Sequence, residues 1–523
     1  MSRTKVNGIL ISILFICFAA IVGYNLISGS DQNNNDLFAL TDKKLEKQFA
    51  LYEQAQKKII ERVVEENGVV QREEWESWLT PAPENALDEK EKAQITQRQQ
   101  QTILDSRSEA IASSTLNLDK IRNDDAKLEQ YCREVPKGAL LHIHPSGTRN
   151  KQTVKELLAE VNPVINGTEI VADANDGKNA MLYPEEIAFL SNLPVKNYLD
   201  YSEEDQNSIL ALFFLPENPP THGFKRFEAI FRIHGLLKQD KSKKQWVKEK
   251  TYLDFLKRSA SLNVSYVEFT KTLDPDASTF EQLQKWAEKW YQETGIIVRW
   301  NAAFVRTLDV ETNAKKTQDL IATLEKKQYT ELVGIDMLAN ESNTPALETG
   351  QNIYIPILAA NQEGTIKLHR TMHSGELGFV HNVRDAMIMG VERVGHGVLL
   401  AQDPVALAYA VEVKTLPIEI NLYSNYRLQV QEDLSKHPFL DFLRLGLPVN
   451  LSTDDEGMFV GDISHECKLA ISYTDITHKE FKQMSYNSIK TAFADEAVKT
   501  RLLKKLDDDF ARFEAKWSQV LSK

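Results

Sequence analysis

The sequence predicts a (β/α)8 TIM-type barrel carrying an N-terminal helical extension and an insertion after its first strand. Three observations lead there. After Tyr131, eight short apolar, β-branched runs alternate with amphipathic stretches of helical period. Histidines and adjacent carboxylates fall at the ends of four of those runs, where a barrel of this kind gathers its reactive groups. The stretch from roughly Asn150 to Gln239, between the first run and the second, is too long for a simple connection.

The chain opens with Arg3 and Lys5, then runs without charge from Gly8 to Tyr24. Residues 1–30 therefore read as a membrane anchor or signal segment, with the basic flank in the cytoplasm and Asp31 onward exported. Retained, it anchors the protein facing the periplasm or exterior. Cleaved after small residues such as Ser28 or Ser30, it leaves a secreted product. The residues leave both open.

Residues 31–130 form the helical extension. Leu45, Phe49, Leu51, Ile59, Ile60 and Val63 recur at helical spacing over Lys43–Val64. Pro81, Pro83 and Asn85 break the pattern, and a second helical stretch runs from about Leu87 to Ile121. The charged surface reads as solvated and carries no chemistry. Residues 131–523 form the barrel. Its expected strands are Ala139–His144, Val264–Thr270, Ile296–Phe304, Leu332–Leu338, Ile366–His373, Arg393–Val398, Pro417–Leu422 and Pro448–Thr453. Helices are expected over Phe280–Thr294, Asp309–Lys327 and Val380–Gly390.

Composition narrows the function. Of 523 residues, 42% are hydrophobic and 26% charged, which suits a folded domain with a sizeable core. A net charge of −13 without a basic run disfavours nucleic-acid duplexes, although a local positive pocket for a phosphate is compatible with it. Cys17 lies in the apolar segment. Cys132 and Cys467 are too few for a disulfide framework, and whether they pair is open.

Four sites carry chemistry. His142 and His144 stand two apart on a strand, so both rings face the lumen, and imidazole is a good zinc ligand. His373, in His373-Ser374-Gly375-Glu376, supplies a third nitrogen, and Glu376 stands where a carboxyl can carry a proton. His396, between Gly395 and Gly397, is placed for electrostatic stabilisation at a strand end. Asp454 and Asp455 end the last strand; Asp454 completes a set of three histidines and one aspartate, and Asp455 can accept from a protonated ring nitrogen. Each feature alone is as readily a packed histidine, a cap or a solvated turn. His369 shares the parity of His373 and reads as a packed lumen residue.

The segments PKGALLHIHPSG, GIDMLANES, HSGE, GVERVGHG and NLSTDDEG resemble the ordered signatures of the adenosine deaminase family. The N-terminal export segment, helical leader and insertion resemble its secreted growth-factor subfamily. The resemblance implies one zinc ion per chain, held by His142, His144, His373 and Asp454. It implies Glu376 as proton shuttle, His396 orienting the attacking hydroxide, and Asp455 contacting a purine ring, with Ala339 in the substrate pocket. Ala339 stands where the family usually has Gly, Pro145 and Ser146 where an Asp usually binds ribose, and Glu456 where a Pro usually follows the paired Asp. The Asn421-Leu422 pair replaces a frequent Cys-Pro. Deamination of adenosine or a related purine outside the cytoplasm is the expectation, possible partners being a purine substrate, the membrane through an uncleaved segment, and a second copy in a homodimer. The alternatives are a related zinc amidohydrolase with a non-adenosine substrate, and a non-catalytic signalling or adhesion protein on the same barrel.

Overall fold

A computed structural model describes residues 32–522 apart from 177–179, 218–222 and 343. The apolar segment Gly8–Tyr24 lies outside the described residues, and no helix among those described is long and apolar enough to cross a membrane.

Eight strands form one parallel sheet in sequence order: β1 (Gly138–Ile143), β2 (Val264–Lys271), β3 (Ile297–Val305), β4 (Leu332–Leu338), β5 (His369–Ser374), β6 (Arg393–His396), β7 (Ile418–Ile420) and β8 (Val449–Leu451). A parallel bridge between Ile143 and Asp454 brings β1 against the end of β8 and rounds the sheet into a barrel. Asp454 N–H donates to His142 O at 3.1 Å and His144 N–H to Asp454 O at 3.3 Å. Helices Ala277–Thr294, Val310–Lys326 and Ala346–Glu363 follow β2, β3 and β4, as right-handed parallel crossovers require. All eight expected strands form. The fifth starts at His369, because Leu368 N–H and C=O are both taken by the Asn361 side chain ahead of it.

The interior floor is charged. Arg393 is fully buried between Glu268 of β2 and Glu419 of β7, donates to Thr491 O at 2.8 Å, and stacks 3.8 Å from the Phe493 ring centroid. Phe493 N–H donates in turn to Glu268 Oε1 at 2.6 Å. Two carboxylates around one guanidinium satisfy charges that isolation in a low dielectric would make very costly.

The extension comprises α1 (Gln32–Ile60), α2 (Arg72–Leu79) and α3 (Glu89–Ser113), continued by helix Asp125–Glu134. Periodicity over Lys43–Val64 captured α1, whereas α2 escaped it because only Trp75 and Leu79 are buried in so short a helix. The stretch expected to reach Ile121 stops at Ser113, and Asn117 caps a separate turn. One face of the extension is not solvated. Phe49 and Tyr52 pack on Tyr409 at 5.2 and 5.1 Å, while Arg72 and Trp75 donate to the buried Asp385 at 2.6 and 2.9 Å. Cys132 and Cys467 are buried free thiols.

Between β1 and β2 a run of short helices builds its own apolar cluster around Leu157, Leu158, Leu190, Ile209 and Phe213. Helix Gly223–Ile233 and the long helix Lys244–Ser261 then return the chain to β2.

Candidate metal centre

His142 and His144 lie at and just past the end of β1, His373 near the end of β5, and Asp454 just beyond β8. One ligand atom from each lies within 4.8 Å of all the others. His142 Nδ1 donates to Glu419 Oε2 at 2.7 Å and His373 Nδ1 to Asp336 Oδ1 at 3.0 Å, so both rings turn the lone pair of Nε2 toward the common centre. His142 Nε2 is buried with no hydrogen-bond partner. His373 Nε2 stands 3.1 Å from His144 Nε2, and Asp454 Oδ1 lies 3.2 and 3.6 Å from the His144 and His142 Nε2 atoms. An orphaned buried nitrogen among converging lone pairs suits a divalent cation, and three imidazoles with one carboxylate are a zinc donor set.

The backbone that aims these groups is unusual. Ala339, His396 and Asp454 have φ of 85°, 67° and 55°, a left-handed conformation uncommon outside glycine. All three sit at strand ends on the same mouth of the barrel. Gly395 is required by the His142 ring: a Cβ there would lie 2.6 Å from His142 Cε1. The glycine before His396 thus makes room for a ligand histidine. Likewise a Cβ at Gly147 would fall 1.5 Å from Asp455 Oδ1.

Glu376 is held from behind. Glu341 accepts the backbone N–H groups of Gly375 and Glu376, each at 2.9 Å, and an amide hydrogen of Asn382 at 2.8 Å. Burial, then the charges of Asp454 and Glu341, push the Glu376 carboxyl well above the ordinary range. Burial and Asp454 act likewise on Asp455, whose Oδ1 has no partner. Burial holds the His396 imidazole well below its ordinary value, helped by the neighbouring histidines. Despite burial, Glu419 is lowered by the Arg393 charge and the His142 hydrogen bond. Ser424 Oγ donates to Asp454 Oδ2 at 2.7 Å.

His144, His373, Glu376, His396, Asp454 and Asp455 line a cavity of about 720 Å³, with Pro145, Ser146 and Ala339 in its wall. His142 lies beneath them. Glu456, next to the paired aspartates, accepts from Arg258 at 3.0 Å and serves the wall rather than the cavity. His369 is remote, stacked on Phe493 at 4.5 Å and 3.0 Å from Glu392. Residue types with metal or proton chemistry were readable; their holders Asp336, Glu341 and Glu419 were not singled out. The signal for Glu419 is a lone carboxylate inside the apolar run Pro417-Ile418-Glu419-Ile420.

A model of the family described as adenosine deaminase matches residues 254–509. The adenosine deaminase of Enterococcus faecalis is 30% identical over 35% of this chain and 51% of its own length. Adenosine deaminase 2 of Pongo abelii is 28% identical over 44% of this chain and 48% of its own. The chain thus matches about half the length of these two relatives. Adenine deaminase from Arthrobacter aurescens superimposes with a TM-score of 0.50 at 20% identity, covering 72% of this chain and 99% of that one, a likeness of fold alone. With the ordered motifs gathered at one barrel mouth, these matches support the adenosine deaminase family.

Proposed function

We propose that this chain is a zinc-dependent aminohydrolase that deaminates a purine such as adenosine to the 6-oxo product and ammonia. The observation that carries the reading is the convergence of His142, His144, His373 and Asp454 on one point at the floor of a cavity. A zinc ion held by these four side chains supplies the Lewis acidity that makes water nucleophilic near neutral pH.

The chain's own groups do the rest. Glu376 lines the cavity beside that point, takes a proton from the incoming water and returns it to a ring nitrogen as the C–O bond forms at the amine-bearing carbon. His396 accepts at Nδ1 from Asn425 Nδ2 at 3.0 Å, so its neutral ring carries hydrogen on Nε2 and serves as a donor. Asp455 offers its unpartnered Oδ1 to the heterocycle. Collapse of the tetrahedral carbon then expels ammonia.

The charge-free Gly8–Tyr24 stretch behind Arg3 and Lys5 supports a place outside the cytoplasm. Ammonia release by the zinc-loaded protein from a panel of purine nucleosides and bases tests the activity. Release that Glu376→Gln abolishes while bound zinc is retained is the expected result; full activity in that variant refutes the role of Glu376. Fractionation of expressing cells, followed by sequencing of the mature N-terminus, tests the location.

A further inference from the structure

One wall of the cavity is strongly basic. Arg149 follows the turn after β1, Lys238 precedes helix Lys244–Ser261, Lys244 and Lys248 stand one turn apart on that helix, and Lys271 ends β2. All five line the cavity that holds His373 and Asp454. None of the five forms an ion pair among the described residues, whereas Arg232 beside them is paired with Asp173 and Asp176. Arg149 is 7% exposed, yet it donates only to neutral acceptors, Thr251 Oγ1 at 3.0 Å and His234 Nδ1 at 2.9 Å. Lys271 Nζ lies 5.5 Å from the Tyr252 ring centroid and faces the same space.

Such an arrangement is costly in isolation. Burial first, then the neighbouring cations, bring the Lys271 ammonium down to about 8 and lower Lys238 and Lys248. This occurs in a chain with 75 Asp and Glu against 62 Lys and Arg, so carboxylates to neutralise the cluster are not scarce. Glu228 is the cavity carboxylate outside the metal centre, and burial raises it to about 7, close to neutralising it. Pro145 and Ser146, between the centre and Arg149 in the chain, bring no charge. Lys238 and Lys244 are exposed at the cavity rim, but Arg149, buried, and Lys248 and Lys271, half-buried, stand unpaired in its wall and gain most from an anion that arrives with the ligand.

We infer that the cavity takes a purine bearing a phosphate monoester, with Arg149, Lys238, Lys244, Lys248 and Lys271 gripping the phosphate while the base reaches the metal centre. This subsite deepens the proposed deaminase reading and rests on it for the purine.

The test separates the two. Zinc-loaded full-length Glu376→Gln is titrated calorimetrically with adenosine 5′-monophosphate and with adenosine, at about 0.05 M and about 0.3 M salt. Binding of the monophosphate at least about tenfold tighter at low salt, shrinking at high salt, is expected. Lys248→Gln and Lys271→Gln, added singly to the same background, are expected to erode that preference severalfold each. Equal affinity for the two compounds, or a preference that both substitutions leave intact, overturns the phosphate subsite. A monophosphate preference in a protein that releases ammonia from neither compound refutes the deaminase reading and leaves the subsite standing. Ammonia release from adenosine without any preference does the reverse.

Discussion

Asn425 bridges two histidines: its Nδ2 donates to His396 Nδ1 at 3.0 Å, and its Oδ1 accepts from His437 Nε2 at 3.0 Å. The amide therefore dictates which nitrogen of His396 carries hydrogen, with His437 fixing the amide. Asn425→Asp offers an acceptor to His396 Nδ1, shifts the hydrogen there and strips it from Nε2. We expect turnover to fall about 10²-fold with zinc content unchanged, and the acidic limb of the rate profile to move upward as the new carboxylate favours imidazolium. An unaltered pH profile defeats this assignment.

The same relay sets an acid sensitivity. Burial lowers His437 to about 3, and its Nδ1 accepts from Phe439 N–H at 3.2 Å. The unfolded chain protonates this ring below about pH 6.5, whereas the folded chain does not. Over that window the unfolded state binds more protons, so stability falls with decreasing pH by about 1.4 kcal/mol per unit from this group. Urea unfolding at about pH 7 and about pH 5 measures the slope, and His437→Gln should flatten it. Parallel curves for the two proteins count against the account.

Glu419 serves His142 through Oε2 and accepts from Arg393 and Thr371 through Oε1. Glu419→Gln keeps the shape but removes the charge that makes His142 Nε2 a strong donor. Zinc affinity should fall about 10- to 100-fold in chelator competition. A dissociation constant equal to that of the wild type speaks against Glu419 as the support of this ligand.

Ala339 holds a φ of 85° at the pocket wall. Left-handed backbone costs an L-residue about 1–2 kcal/mol, so Ala339→Gly should stabilise the fold by about 1 kcal/mol after the added freedom of the unfolded chain. Thermal unfolding of the zinc-loaded pair reads this. A lower midpoint in the glycine variant contradicts it.

Asp385, fully buried, receives Arg72, Trp75 and Arg384. Removing it leaves the buried Trp75 Nε1–H without an acceptor, while Arg72 keeps Glu348 and Glu76 and Arg384 keeps Glu76, so Asp385→Ala should cost about 1–3 kcal/mol. The extension and barrel should unfold in one transition followed by both near-ultraviolet circular dichroism and calorimetry. A separate early transition of the extension denies the coupling.

Much of this fold was legible because a parallel barrel writes itself as repetition: apolar runs separated by amphipathic helices. The reactive set was legible because His142-x-His144, His373-Ser374-Gly375-Glu376 and Asp454-Asp455 place scarce residue types at the same ends of those runs. What stayed hidden is long-range and polar. Asp336, Glu341 and Glu419 act on groups tens to hundreds of residues away, and no local period reports such pairings. The basic wall was hidden for the same reason, since Arg149 and Lys271 are isolated in sequence and only the fold brings them to Lys238, Lys244 and Lys248 of the lysine-rich stretch 238–250. Helix α2 was missed because two buried residues set no period, and its binding to Asp385 follows from tertiary contact alone.

The charged floor bears on how the molecule is made. Arg393 reaches Thr491 and Phe493, and Phe493 reaches Glu268, so the carboxylate that steadies His142 gains its full surroundings only when the C-terminal segment docks. During synthesis the first ligand strand leaves the ribosome long before the residues that complete its support. A nascent chain would therefore carry its histidines unassembled until translation is nearly finished, and a metal held by them would load late.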